Sequence, residues 1–184
     1  MNIIIVGCGK VGRSLVEQLS SENHDISIVD PKAYVVQSMV DMYDVFGIVG
    51  NGASYNVLTE VGVEEADLLI AVTNSDELNL LCCLIAKKAG KCATIARVSN
   101  PVYFDEINFI KEEMGISMII NPELAASSEM SRILRIPTAM EINSFAKGKV
   151  ELLKFVLRKS SILNGMKMKE IGERMRGEVL VCAV

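Results

Sequence analysis

The run Ile3-Ile4-Ile5-Val6 leads directly into Gly7-Cys8-Gly9-Lys10-Val11-Gly12, and this junction constrains the fold more than any other stretch of the chain. An apolar, β-branched strand, a G-x-G-x-x-G turn and a helix start are the parts of a phosphate-cradling strand-turn-helix. Each glycine has a mechanical reason. Gly7 permits the tight turn, Gly9 lets a pyrophosphate approach the backbone, and Gly12 lets the helix pack closely on the strand. The free N–H groups and positive dipole end of the helix then attract phosphate. Lys10, or Arg13 one turn on, is positioned to add a side-chain cation. Asp30 closes the next β-branched run, 18 residues past Gly12. That is close to the roughly 20-residue spacing of an acid that hydrogen-bonds a ribose diol.

Apolar runs recur at 2–6, 26–30, 45–49, 67–72, 93–98 and 116–120, with segments of helical spacing between them. Alternation of strand and helix predicts a parallel sheet covered on both faces, an α/β, Rossmann-like doubly wound domain over residues 1–120. Ligands of such sheets bind beyond the carboxyl ends of the strands. The loops expected there are Gly50-Asn51-Gly52 after the third strand and Thr73-Asn74-Ser75-Asp76 after the fourth. The glycines around Asn51 suit the close approach of an adenine ring, and equally an ordinary turn. Arg97 ends the fifth strand, where a buried apolar strand should carry no cation, so a phosphate or carboxylate partner is expected.

Helix starts are expected at Ser75-Asp76-Glu77, running to Lys88 with a stop at Gly90, and at Asn121-Pro122-Glu123, running to Leu134 before Pro137. Residues 121–137 then form a crossover helix. Its apolar positions Leu124, Met130, Ile133 and Leu134 have no seventh strand to cover, which points to packing against another subunit of a homo-oligomer. Residues 138–184 read as a truncated small α+β domain: strands Met140–Phe145 and Val150–Leu157 around a turn at Lys147-Gly148, a short helix near Lys167–Met175, and the strand-like run Val179–Val184. Ending inside such a run suggests a piece of a longer protein.

Composition narrows the function classes. A net charge of −4 lacks the basic stripe that a nucleic-acid backbone demands, so nucleic acid is not an expected partner. Although 50% of residues are apolar, no stretch approaches the ~20 consecutive apolar residues of a membrane span. The first residues show no signal-peptide pattern, so a cytoplasmic location is expected. His24 reads as a surface turn residue, and a metal site is not expected. The five cysteines, Cys8, Cys82, Cys83, Cys92 and Cys182, form no C-x-x-C pair and read as reduced core thiols.

Taken together, Ile4 to Gly12, Val29-Asp30, Gly50-Asn51-Gly52, Glu65-Ala66-Asp67, Ala71 to Asn79 and Ile95-Ala96-Arg97-Val98 resemble the KTN/RCK family. Its members are nucleotide-binding regulatory subunits and domains of potassium uptake systems and channels. The resemblance implies NAD(H) or ATP/ADP as cofactor. It implies an integral-membrane potassium transporter or channel subunit of Trk or Ktr type as partner, and a peripheral position at the inner face of the membrane. Carried over by position, it assigns phosphates to Gly7, Gly9, Val11 and Gly12, the ribose to Asp30, the adenosine end to Asn51 and Gly52, and the far end to Thr73, Asn74 and Arg97. Lys10 stands where some relatives place an arginine to meet a terminal phosphate. Glu123 resembles a family carboxylate used for divalent cations, beside a helix-capping role at the same position. The rival reading is an NAD-dependent oxidoreductase whose catalytic part lies beyond Val184. The 47 residues after Pro137 hold no histidine and no visible proton relay, so the expectation is a regulator and not an enzyme.

Overall fold

The computed structural model describes residues 1–135, 139–145, 149–174 and 179–182. They fall into two compact units, Met1–Ala125 and Ala126–Val184. The first is built on six parallel strands: β1 (Asn2–Val6), β2 (Asp25–Asp30), β3 (Phe46–Val49), β4 (Leu68–Ala71), β5 (Ala93–Arg97) and β6 (Met118–Ile120). Their order is β3-β2-β1-β4-β5-β6. Central β1 pairs Val6 with Val29 of β2 on one side and with Ala71 of β4 on the other. The winding direction reverses between β1 and β4, the switch point at which sheets of this kind carry their ligand crevice beyond the carboxyl ends of the strands.

Alternate β1 side chains feed two cores, which is why the strand reads as an unbroken apolar run. Ile3 and Ile5 pack with Val16 of α1 (Lys10–Ser20) and with Val36 and Met39 of α2 (Ala33–Tyr43). Ile4 and Val6 face the other core. There they meet Leu58 of α3 (Tyr55–Glu60) and Leu80, Cys82, Cys83 and Ala86 of α4 (Asp76–Ala89), while Ile107 and Ile110 of α5 (Ile107–Glu113) pack at its margin. Each large side chain buried completely, such as Ile5 or Leu69, contributes about 1.5–3 kcal/mol relative to exposure.

The six strands predicted for this unit and the helix starts at Ser75 and Asn121 are present, with shifts at the edges that have local causes. The last strand begins at Met118 because the Ile116 N–H donates to the Lys111 carbonyl at 2.9 Å, closing the end of α5. Helix α4 begins as expected: Ser75 Oγ accepts from the Leu78 N–H, Asp76 and Glu77 lie at the positive end of the dipole, and Lys87 and Lys88 at the negative end. Gly90 stops it in an extended conformation, because a Cβ there would lie 2.6 Å from the Val63 carbonyl oxygen. Helix α6 (Pro122–Arg135) follows β6, and the division between the two units falls within it.

In the second unit β7 (Ala139–Phe145) and β8 (Val150–Phe155) form an antiparallel pair with Ile142 opposite Leu153, followed by α7 (Met168–Arg174). Pro137, the expected turn Lys147-Gly148, Met175 and Ala183-Val184 lie outside the described residues. Val179–Cys182 carry no strand, contrary to expectation. An apolar run becomes a strand only when it pairs with another, and among the described residues of this unit the pairing is that of β7 with β8. Among the described residues no helix is long and apolar enough to cross a membrane.

Two side-chain expectations need correction. His24 is not a plain surface residue: its side chain is 23% exposed, and its Nδ1 is buried without a partner beside a groove at the amino ends of β2 and β3. The polar sequence around it gives no sign of the cover supplied by those strand ends. The cysteines divide four to one. Cys8, Cys82, Cys83 and Cys92 are buried free thiols, while Cys182 is exposed. Burial pushes Cys8 and Cys82 up to about 12 and raises Cys83 and Cys92 as well. At pH 8 a thiol shifted that far has on the order of a thousandfold less thiolate than an unperturbed one, so iodoacetamide should label Cys182 first. Mass spectrometry of the native protein checks this, and comparable labelling of Cys82 would contradict the packing.

Candidate functional site

The glycine turn is built as its sequence demands. Gly7 has φ +93°, and its N–H donates to the Val29 carbonyl at 2.8 Å. A Cβ on Gly7 would lie 2.8 Å from the Thr73 nitrogen, so the β1 and β4 loops touch here. A Cβ on Gly12 would lie 2.0 Å from the Gly7 carbonyl oxygen, which is the close packing of helix on strand. Gly9 differs, because its Cβ would meet nothing within 4 Å. Gly9 also stands at the N-cap of α1, with no side-chain cap and no acidic residue in the first turn. Backbone donors and a positive dipole end are thus presented to open space. Lys10 and Val11 are exposed beside them, and Gly12 is buried.

Asp30 lies at the end of β2 and holds this turn in place. Its Oδ2 accepts the Cys8 N–H and its Oδ1 the Lys32 N–H, both at 2.9 Å. A carboxylate has about four lone-pair sites, so two remain for a diol. Asn51 is exposed and forms a turn with itself, Oδ1 accepting the Ala53 N–H at 3.0 Å. Gly52 is buried, and a Cβ on it would lie 2.1 Å from Val6 Cγ1. Packing on β1 thus explains this glycine, independently of any adenine.

The far rim contains groups that the sequence reading missed. Asn79 of α4 is fully buried. Its Oδ1 accepts from the Thr73 N–H (2.8 Å) and hydroxyl (2.7 Å), and its Nδ2 donates to the carbonyls of Arg97 (2.9 Å) and Thr73 (3.3 Å). One side chain therefore ties the end of β4 to the end of β5. Asp76, also buried, accepts the Ser99 and Asn100 N–H groups at 2.9 and 2.7 Å. The available signal was an asparagine at the inward helical position shared with Cys82 and Ala86. Thr73 donates its N–H to Asn79, its hydroxyl lies within hydrogen-bond distance of Asn79 Oδ1 and of the Ser75 carbonyl (3.2 Å), and its methyl group lies against Gly7. Asn74 is exposed next to it.

Arg97 has a carboxylate partner, and that partner is Glu123. Arg97 Nη2 lies 2.5 Å from Glu123 Oε1, and its Nη1 reaches the Thr73 carbonyl at 3.4 Å. Its Nε is buried without a partner. Capping of α6 falls to Asn121, whose Oδ1 accepts the Leu124 N–H at 2.8 Å, while Glu123 turns to Arg97 and to the Ser99 hydroxyl at 2.9 Å. The hydrogen bond from Arg97, aided by its own backbone N–H and by Ser99, lowers the Glu123 carboxyl below its usual value. A lowered folded-state value means stabilisation present above the ordinary carboxylate range and lost as pH falls through the lowered value.

A six-stranded doubly wound sheet with a glycine turn, an uncapped helix start and a strand-end acid defines a Rossmann-like domain. The TrkA-N domain model matches residues 3–122, and the chain belongs to that family. It is 39% identical over 178 residues to Trk system potassium uptake protein trkA homolog 1 of Methanosarcina mazei, covering 93% of this chain and 43% of that protein. The chain thus spans less than half the length of this curated relative. Among solved structures, the TrkA-N domain of inner membrane protein ybaL from Escherichia coli aligns with TM-score 0.65 at 22% identity, over 72% of this chain and 96% of that one. The GsuK channel bound to NAD aligns with TM-score 0.56 at 22% identity, over 78% of this chain and 24% of that one. These two likenesses are of fold.

Proposed function

We propose that the crevice binds an adenine nucleotide, NAD(H) or ATP/ADP, and that the protein is a nucleotide-sensing regulatory subunit of an integral-membrane potassium transporter or channel. The carrying observation is the uncapped start of α1 beside Gly9, facing open space, with the half-used carboxylate of Asp30 next to it. In this reading the first-turn amides with Gly7, Gly9, Lys10, Val11 and Gly12 hold phosphates and Asp30 holds a ribose. Asn51 and Gly52 border the adenosine, and Thr73, Asn74 and Arg97 the far end. The Trk names of the relatives support the transport role, and the NAD-bound channel of like fold supports the ligand class. The protein acts at the inner face of the membrane by a conformational bias and not by turnover. Coupling of this kind is typically about 1–3 kcal/mol.

Asp30→Ala removes an acceptor whose hydrogen bonds are each worth about 1.5–3 kcal/mol, so nucleotide affinity should fall at least about tenfold. Asp30→Asn keeps one acceptor oxygen and should lose less. Calorimetric titration of both variants checks this, and unchanged affinity in a folded Asp30→Ala protein contradicts the assignment. Assembly as a homo-oligomer through α6 is part of the same proposal, supported by exposed Met130, Ile133 and Leu134 on that helix. Light scattering should show more than one chain per particle, and a monomer at all concentrations removes this element.

A further inference from the structure

The net charge of −4 conceals an uneven distribution. Residues 1–125 carry eight Lys or Arg against seventeen Asp or Glu, whereas residues 126–184 carry eleven against six, so the second unit is net positive. The excess is concentrated, since Lys154 to Lys169 hold five Lys or Arg and no Asp or Glu. This stretch leaves β8 at Phe155 and runs through tight turns into α7. The Ser161 N–H donates to the Arg158 carbonyl at 2.9 Å and the Asn164 N–H to the Ser161 carbonyl at 3.1 Å. Gly165 then takes φ +83°, a conformation open to glycine, before the Met166 N–H reaches the Leu163 carbonyl at 3.2 Å. The turns leave Leu163 and Met166 half-buried, while Val156 (70%), Leu157, Ile162 (69%) and Met168 stay exposed in a run whose cations, Lys154, Arg158, Lys159, Lys167 and Lys169, are exposed too. Among the described residues no ion pair reaches Arg158, Lys159, Lys167 or Lys169, and Lys154 meets Glu141 only at 3.8 Å in a solvent-exposed pair.

We infer that the segment 154–169 is a docking surface for an anionic lipid bilayer. Charge complementarity is the first argument: five cations without an intervening acid are attracted to a layer of phosphate headgroups. The second is the apolar content between them. Val156, Leu157, Ile162 and Met168 can enter the boundary between headgroups and acyl chains, while the long Lys and Arg stems return their charges to the phosphates. A fluid headgroup layer asks for no shaped pocket, so apolar side chains carried on successive turns suit it as well as those on one regular face. A nucleic-acid strand would call for stacking aromatics, and Phe155 is the one aromatic of the stretch. The acidic first unit of a second copy would answer the charges but gives the exposed apolar side chains no fluid layer to enter. The surface lies on the unit that lacks the glycine turn, so lipid binding neither needs a nucleotide nor tests for one.

The test is co-sedimentation of the full chain, without nucleotide, with vesicles of phosphatidylcholine alone and of phosphatidylcholine containing about one-third phosphatidylglycerol. The chain should bind the anionic vesicles, leave the neutral ones, and be released at about 0.5 M salt, where screening shortens the reach of each charge. Each cation held at an anionic surface contributes about fivefold in affinity, so Arg158→Gln with Lys159→Gln, and separately Lys167→Gln with Lys169→Gln, should each weaken binding about 25-fold. Lys91→Gln with Lys111→Gln changes the net charge equally on the first unit and should leave binding within about twofold. Ile162→Ser should weaken binding without changing its salt dependence. Light scattering of the same variants reads self-association. Absence of binding to anionic vesicles, equal binding to neutral ones, or equal loss in the Lys91 and Lys111 variant would overturn the inference. So would an oligomer that the two pair variants break apart while the wild type ignores vesicles, which would make the segment a surface between copies.

Discussion

Replacing Asn79 with alanine is expected to lower the stability of the chain by about 3 kcal/mol, a fall in Tm on the order of 10 °C. The substitution removes one acceptor and one donor group from a site with no solvent exposure. It leaves the Thr73 N–H and the Arg97 carbonyl without their partners at 2.8 and 2.9 Å. Each buried group stranded in this way costs about 1–3 kcal/mol, and a cavity adds to it. Local consequences should exceed the global one, since Asn79 carries most of the bonds that tie the end of β4 to the end of β5, the Arg97 Nη1 contact to the Thr73 carbonyl being the other. Hydrogen exchange at Thr73 and Val98 should accelerate more than at Ile5 in β1. Thermal unfolding indistinguishable from wild type would show that the Asn79 bracket is dispensable.

The second large effect separates two glycines of one motif. Gly12→Ala places a methyl group 2.0 Å from the Gly7 carbonyl oxygen, a contact relieved only by moving α1 away from β1. Overpacking against backbone of this kind should cost about 3 kcal/mol, and the displaced amides should no longer bind nucleotide. Gly9→Ala meets no atom within 4 Å, and Gly9 holds φ −70°, which any residue adopts. The Gly9→Ala protein should therefore unfold at the wild-type denaturant concentration and still lose affinity, because its methyl group occupies the ligand's approach. Urea unfolding alongside titration reads both quantities. Equal destabilisation by the two substitutions would contradict the assigned geometry.

The division between what was readable in the chain and what was not follows the range of the interactions. Local spacing specifies a strand, a turn and a helix, so the glycine motif, Asp30, the Ser75 and Asn121 caps and the six strand runs were all visible. Pairings over long separations depend on sheet order. Asn79 reaches Arg97, 18 residues on, and Arg97 reaches Glu123, 26 residues on, because β4, β5 and β6 are neighbours. Nothing local in Glu123 distinguishes a cap from a counter-ion, and Asn121 two residues earlier already supplies the cap. Gly52 looked like a ligand-approach glycine because its close neighbour, Val6, lies 46 residues away in sequence. Val179–Cys182 had strand composition but pair with neither β7 nor β8, and pairing is a property of the surroundings and not of the segment.

Mapping of backbone amide shifts by NMR during titration with NAD+ locates the nucleotide on the chain. Binding at the glycine turn gives saturable shifts concentrated at Gly7 to Gly12, at Asp30 to Lys32 and at Thr73, with little change in the amino-end segments Asn23–Ile26 and Val45–Phe46. Absence of saturable shifts with NAD+, NADH, ATP and ADP, or shifts centred on the groove around His24 and Phe46, would contradict it.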